Sequence, residues 1–529
     1  MRLIVAVLLA VLTACGGGGG TPTPQTLRGK VYGSVSSGGK VLAGAKLTAT
    51  TGSETKTATT DAKGEFSLQL SNKPATFTIT AEPPLGSSYR ALTYDNLPLE
   101  AYTSEFGAAN EFNIYLPGGT AASGAGFPAR FGCIVGTLTD GPNPVVSTTP
   151  AINNPPNRTS PANCDGTVPP NLSVSQTALQ AGENGLVLFG GIRGVTTRAG
   201  GNFLIPVVTT NNGWAFSGSL WAGNYTGTDT GNPATAFEYF WDKFAYVPTT
   251  DVFLNGSSQT QNLQLEPFNP TTNAAKVTTL KVTPDTSALA GFNFADPNQG
   301  LLVSIPSFEH AITSAGIELG LYFFDAPGSR NLRVPKLQSG KQGQHIQVSN
   351  VALNANGARS TATFWRDGTN LSSEVKPDFL GIASPQAPAN NATGVSRKPT
   401  LSWKAVNKAR LYEVDIFQGN NLVWYGITDK TSLAVPITLP ASTGLSWEVF
   451  AFDQLNLVDV VGREPAALYM PALSDHPRLA GLKPNPAQQW AKEQRANGYG
   501  PTLEFGGINL KATGYRTSSS ESFSFTTGQ

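Results

Sequence analysis

The sequence predicts an all-β chain built from several β-sandwich domains in series. Three observations carry that expectation. Charged residues make up only 13% of the 529 residues, about half the usual share, and the formal net charge is +1. The chain holds 57 glycines and 38 prolines, a turn-rich composition. Short apolar runs alternate with polar residues at a period of two, the pattern of half-buried strands. At this length one core is too few, and roughly three to five domains are expected. Apolar residues at 40% are enough to fill them.

The near-neutral charge gives no electrostatic footprint for nucleic acid or for an anionic membrane surface. Only three cysteines, Cys15, Cys133 and Cys164, and three histidines, His310, His345 and His476, occur.

The first element is an address. Met1-Arg2 precedes the apolar run Leu3 to Val11, which is too short to span a bilayer and reads as a signal peptide over residues 1–14. It ends in Leu12-Thr13-Ala14-Cys15. This resembles the lipobox of bacterial lipoproteins, in which a small residue precedes the modified cysteine. The resemblance implies a diacylglyceryl group on Cys15, cleavage before it and acylation of the new N-terminus. Each buried methylene of such chains is worth about 0.8 kcal/mol, so several chains hold firmly. The membrane is therefore the first expected partner. Residues 15–25, with Gly16 to Gly20 and alternating Thr and Pro, make a tether. Gly16 stands where Asp would resemble an inner-membrane retention signal, so the outer membrane or cell surface is the expected location.

Residues 26–118 form the first expected domain. Val31 and neighbours alternate, Leu42-Ala43-Gly44-Ala45 begins a second strand, and Thr60-Asp61-Ala62-Lys63-Gly64-Glu65-Phe66 supplies a tight turn and a strand with Phe66 and Leu68 on one face. These motifs resemble the carboxypeptidase regulatory-like domain, a transthyretin-like sandwich. The resemblance implies a fold and no catalytic site of its own.

Residues 119–170 are rich in Pro, Asn, Thr and Gly and read as a loop or linker. With Cys15 used by lipid, Cys133 and Cys164 remain as a pair that can close a loop of about 30 residues in an oxidising compartment; two unrelated buried thiols is the other reading. A second sandwich is expected over 171–267, with strands at Leu186–Gly191 and Asn202–Val208. A third β-rich domain is expected over 274–373, with strands near Thr278–Val282, Leu301–Ile305, Gly320–Phe324 and Thr361–Trp365.

The last domain, 385–529, carries Thr400-Leu401-Ser402-Trp403, then Tyr412, Val414 and Ile416 alternating onto one face, then Trp447, Val449 and Ala451. This resembles a fibronectin type III-like sandwich. Ser522 to Gly528 reads as its final strand, which leaves about 456–516 as an insertion. Within it Asn485 to Ala496 has the N-cap, Pro and trailing Gly of a short helix.

No zinc, P-loop or nucleophile-elbow motif occurs, and Ser474-Asp475-His476 is contiguous, which forbids triad geometry. Asp229-Thr230-Gly231-Asn232 and Asp296-Pro297-Asn298 offer oxygen ligands without an EF-hand spacing, and turn chemistry explains both. The sequence thus points to no catalytic residue, cofactor or metal ligand. The expected function is a non-catalytic envelope lipoprotein that serves as a binding or structural module for a glycan, envelope polymer or partner protein. The alternative is an accessory subunit or cryptic hydrolase acting on such polymers.

One stretch invites a binding site. Trp214 to Tyr246 holds ten aromatics in 33 residues. These rings either fill a core or an inter-domain joint, or they offer a contact surface. Trp221 and Tyr225, set among Gly218, Gly223 and Gly227, are the candidate ligand contacts, since turns leave side chains exposed and flat rings stack on sugars or anchor proteins.

Overall fold

The structure is a computed structural model. It describes, with short breaks, residues 25–102, 112–118, 130–146, 185–293, 302–366, 374–461 and 514–529. The signal segment, Cys15, most of the tether, Cys164, His476 and the expected helix at 485–496 lie outside the described residues.

The chain is all-β, in several sheets. The first sandwich pairs two sheets over one core. Glu65–Leu70 runs antiparallel to Gln25–Gly33, which pairs in parallel with Ile114–Leu116. The facing sheet runs Thr55–Thr59, Lys46–Thr50, Thr76–Glu82, Ala91–Pro98. Alternation sends Leu27, Val31, Leu47, Phe66, Leu68 and Ile79 into the gap with Phe112. The turn at Asp61 forms as the sequence reads it. The Asp61 carboxylate accepts the Lys63 and Glu65 amides at 2.8 and 2.9 Å, and the Gly64 amide donates to the Asp61 carbonyl. Gly64 sits at φ +72°, where a side chain is strained.

The second sandwich begins earlier than the sequence suggests. Arg130–Asp140 lies inside the expected linker 119–170, yet it is a strand, antiparallel to Asn202–Thr209 from Arg130↔Thr209 to Thr137↔Asn202. Its glycines account for the difference. A Cβ on Gly136 would lie 1.7 Å from the Gln261 carbonyl oxygen, and one on Gly132 would lie 2.2 Å from that of Phe253. Glycine here permits close backbone approach and does not mark a loop. Leu186–Phe189 forms at its expected place and pairs with Ala215–Thr228, the first arm of a long hairpin whose second arm is Glu238–Phe253.

The third segment has strands at all four expected places, Val277–Val282, Leu302–His310, Gly320–Phe324 and Arg359–Arg366, together with Arg330–Pro335 and Gln344–Leu353. It is not a separate bead. Glu238–Phe253 of the preceding hairpin pairs with Gly320–Phe324, and Trp221, Trp241 and Phe244 share a core with Val277, Leu280, Leu332, Ile346 and Val348.

In the last sandwich, Leu411–Gln418 pairs with Asn421–Thr428 on one side and Gly444–Phe452 on the other. Tyr412, Val414, Ile416, Trp447, Val449 and Ala451 fall into one core with Trp403, as the alternation requires. Phe523–Thr527 closes against Gly444–Phe452. The strand Gly514–Ser519 begins within the expected insertion and pairs with both Arg359–Arg366 and Phe450–Phe452, which ties the third segment to the last.

Candidate functional site

The aromatic contact surface does not survive for Trp221. That side chain is fully buried, packed on Tyr246 with ring centroids 4.3 Å apart, and on Phe244 and Trp241 at 6.0 and 6.2 Å. Trp221 shares its core with Val277, Leu280, Leu332 and Ile346 of the third segment, so its ring fills an inter-domain joint. Gly223 contributes by its small size: a Cβ there would lie 2.2 Å from the Trp241 ring. The neighbouring glycines, turn signals by composition, lie within a 14-residue strand. Tyr225 sits opposite Trp241 in that hairpin; its side chain lies outside the described residues.

Sequence patterning gives no sign of the joint between the first sandwich and the last. Ala91–Tyr94 of the first sandwich pairs in parallel with Trp424–Ile427 of the last. Side chains reinforce the pairing. The Trp424 indole N–H donates to Thr93 Oγ1 at 3.0 Å, and the Arg90 Nε donates to the Leu422 carbonyl at 2.5 Å. Asp95 accepts from Thr78 at 2.6 Å within its own domain and from Thr428 at 3.0 Å across the joint, with Lys430 Nζ at 3.2 Å. Asn96 donates to Asp429 at 3.0 Å. Beneath these links Leu411, Tyr425, Ile427, Phe450 and Phe452 join the core cluster of the first sandwich. Two regions some 330 residues apart are thus held by backbone pairing, polar links and shared apolar burial together.

The same joint buries carboxylates. In Tyr412-Glu413-Val414-Asp415-Ile416 the acids alternate away from the core of the last sandwich, where solvent would be expected, yet Glu413 and Asp415 are only 1% and 8% exposed. Asp415 lies opposite Tyr425 on one neighbouring strand and Glu448 on the other. Burial, and then the negative charges of Glu413 and Glu448, push the Asp415 carboxyl well above its usual range.

A second polar joint links the third segment to the last. Arg516 bridges Asp378 and Asp453, the latter at 2.6 Å from its Nε, and Lys408 also reaches Asp378 at 2.8 Å. Ser360 Oγ donates to the Leu380 carbonyl and Ser518 Oγ to that of Gly381, pinning the connecting segment.

Among the described residues, no group of three or more His, Cys, Asp or Glu side chains is placed to hold a metal ion. His310 and His345 lie on adjacent antiparallel strands, where His345 faces Glu309 in register. The oxygen-ligand loops at 229–232 and 296–298 lie outside the described residues. Cys133 is buried in the strand Arg130–Asp140. No helix among the described residues is long and apolar enough to cross a membrane.

No family model matches the chain, and no curated protein does. Among solved structures, a calcium-stabilised adhesin that helps an Antarctic bacterium bind ice aligns over 82% of this chain and 95% of its own, at 10% identity and a TM-score of 0.13. The Bacillus anthracis TIE protein aligns over 84% and 73%, at 9% identity and 0.12. The pilus adhesin SpaC of Lactobacillus rhamnosus aligns over 83% and 52%, at 8% identity and 0.10. The chain is similar to these only in being long and β-rich, and the functional reading rests on its own sequence and joints.

Proposed function

We propose that the chain is a non-catalytic lipoprotein of the bacterial envelope. In this reading Cys15 anchors it to the outer membrane or cell surface, and its sandwiches act as one structural and binding scaffold. The observation that carries the reading is the joint between the first sandwich and the last. A chain of beads on a lipid tether needs no such joint, whereas a scaffold that presents a fixed surface does. Backbone pairing, a buried indole bond and a shared core restrict the relative motion that separate domains otherwise have.

Lipidation of Cys15 is supported by the h-region and Leu12-Thr13-Ala14-Cys15. The disulfide between Cys133 and Cys164 belongs to the same reading. It is supported by Cys164 being the one cysteine left to pair with Cys133 once Cys15 carries lipid. Glycans, envelope polymers and envelope proteins are the partner classes.

The test is fractionation of cells carrying wild type or Cys15→Ser, with capture from the envelope fraction on the detergent-solubilised chain. The expected results are membrane partition that requires Cys15 and retention of an envelope component. A Cys15→Ser protein that is processed and partitions into detergent like wild type overturns the anchor. Robust turnover of a peptide, ester or glycan, abolished by one point substitution, overturns the non-catalytic reading.

A further inference from the structure

The outer face of the first sandwich carries a regular array of threonines. Lys46–Thr50 lies between Thr55–Thr59 and Thr76–Glu82, and its inward residues Leu47 and Ala49 are buried. Its outward residues are Lys46, Thr48 and Thr50. The register sets Thr57 and Thr80 on either side of Thr48, and Thr55 and Thr78 on either side of Thr50. Thr59 and Glu82 flank Lys46 in the same way, and Lys46 closes on Glu82 at 3.0 Å. Strand geometry spaces these positions about 4.8 Å across the strands and about 6.8 Å along them.

The array is open over most of its area. Thr50, Thr55, Thr57 and Thr59 are exposed and Thr48 is half-buried, and among the described residues none of their hydroxyls is spent on a neighbour. Only its inner edge is engaged: Thr80 bonds Thr93 at 3.1 Å, and Thr78 bonds Asp95. The cross-strand rows through Thr48 and Thr50 hold no charged and no aromatic side chain; the one charged residue on the central strand's outward face, Lys46, is paired with Glu82 at the border.

We propose that this threonine face binds a neutral polysaccharide strand, a proposal that rests on the surface-scaffold reading above and names its ligand class. Each hydroxyl both donates and accepts, so the partner must offer both in return, as sugar hydroxyls do. The absence of charge disfavours an acidic polymer, and the absence of rings disfavours stacking as the main contact. One hydroxyl pair contributes only about 0.5–1.5 kcal/mol net, so a useful contact needs a ligand that repeats. Ice offers similar chemistry in a flat lattice. Neighbouring strands are rotated by about 20–25°, and a twisted face follows a flexible strand better than a crystal plane.

The test uses the detergent-solubilised full chain and three solid probes: intact envelope of the producing organism, the neutral polysaccharide fraction extracted from it, and ice. The variants are Thr50→Lys with Thr57→Lys, and Thr50→Ser with Thr57→Ser. Both sites are exposed, and a melting curve confirms that each variant folds. The expected result is retention of wild type on the neutral fraction, at least a tenfold fall for the lysine pair, and recovery of most of it for the serine pair. Equal retention of wild type and the lysine pair overturns the proposal. So does retention on intact envelope but not on the neutral fraction, which leaves the scaffold reading standing. No retention on intact envelope sinks both. Array-dependent retention on ice alone replaces the polysaccharide.

Discussion

Truncating Trp221 to alanine should unsettle two sandwiches at once. The indole is fully buried against Trp241, Phe244 and Tyr246, in a core that also contains Val277, Leu280, Leu332 and Ile346 of the third segment. A large aromatic replaced by alanine in a packed core costs about 3–5 kcal/mol, the loss of burial plus the cavity left behind. Ring pairing adds to this, at about 0.5–1.5 kcal/mol for each well-packed pair. A unit of 150–250 residues loses about 2–4 °C for each kcal/mol. The transition that contains the second and third segments should therefore fall by roughly 6–20 °C. Differential scanning calorimetry of wild type, Trp221→Ala and Trp221→Phe is the assay, with Trp221→Phe falling in between. A shift under about 2 °C for Trp221→Ala, with loss of envelope capture, would refute the joint and restore the exposed contact surface.

Three further outcomes follow from particular residues. The Asp415 carboxyl is pushed up in the folded state, first by burial and then by Glu413 and Glu448. Its stabilising contribution is therefore full below the ordinary value of 3.8 and is lost as pH rises through the folded pKa. Melting temperatures across that window should fall with rising pH in wild type and flatten in Asp415→Asn; parallel profiles would contradict the assignment. Gly136→Ala places a Cβ 1.7 Å from backbone oxygen and should abolish cooperative unfolding of the second sandwich; a wild-type melt would show that Arg130–Asp140 does not pair as described. A disulfide closing a loop of about 30 residues contributes roughly 2–4 kcal/mol. Thiol labelling of the denatured, unreduced mature protein should find neither Cys133 nor Cys164 free, and labelling of both would remove the bond.

Much of the strand pattern was legible because one face of each strand is apolar and the other is not. Phe66 and Leu68, or Tyr412, Val414 and Ile416, declare their core by a period of two. The turn at Asp61–Gly64 is legible for a local reason: a carboxylate that takes two amides and a glycine at positive φ. What could not be read is what covers the second face of a strand. Glu413 and Asp415 look like a solvated face, yet both are buried beside residues that join the core of the first sandwich. Trp221 looks available among glycines until the third segment closes on it. Gly132 and Gly136 signal a loop by composition, while their function is to let backbones approach. Long-range closure leaves no local mark: nothing in Ala91–Tyr94 announces a partner at Trp424–Ile427. The threonine face leaves no mark in the sequence for a related reason: threonine is the ordinary filling of a solvated strand, and only the pairing register lines up three strands of it.

Hydrogen exchange at that closure tests the central claim most directly, that the first and last sandwiches form one scaffold. In Trp424–Ile427 alternate amides point to Leu411–Gln418, and the rest point to Ala91–Tyr94 of the first sandwich. If the scaffold is one unit, both sets of amides exchange slowly in the full chain, and those of Ala91–Tyr94 that face the joint are protected to the same degree. If the amides facing the first sandwich exchange as fast as an open edge strand while their neighbours stay protected, the two sandwiches are separate bodies and the account fails.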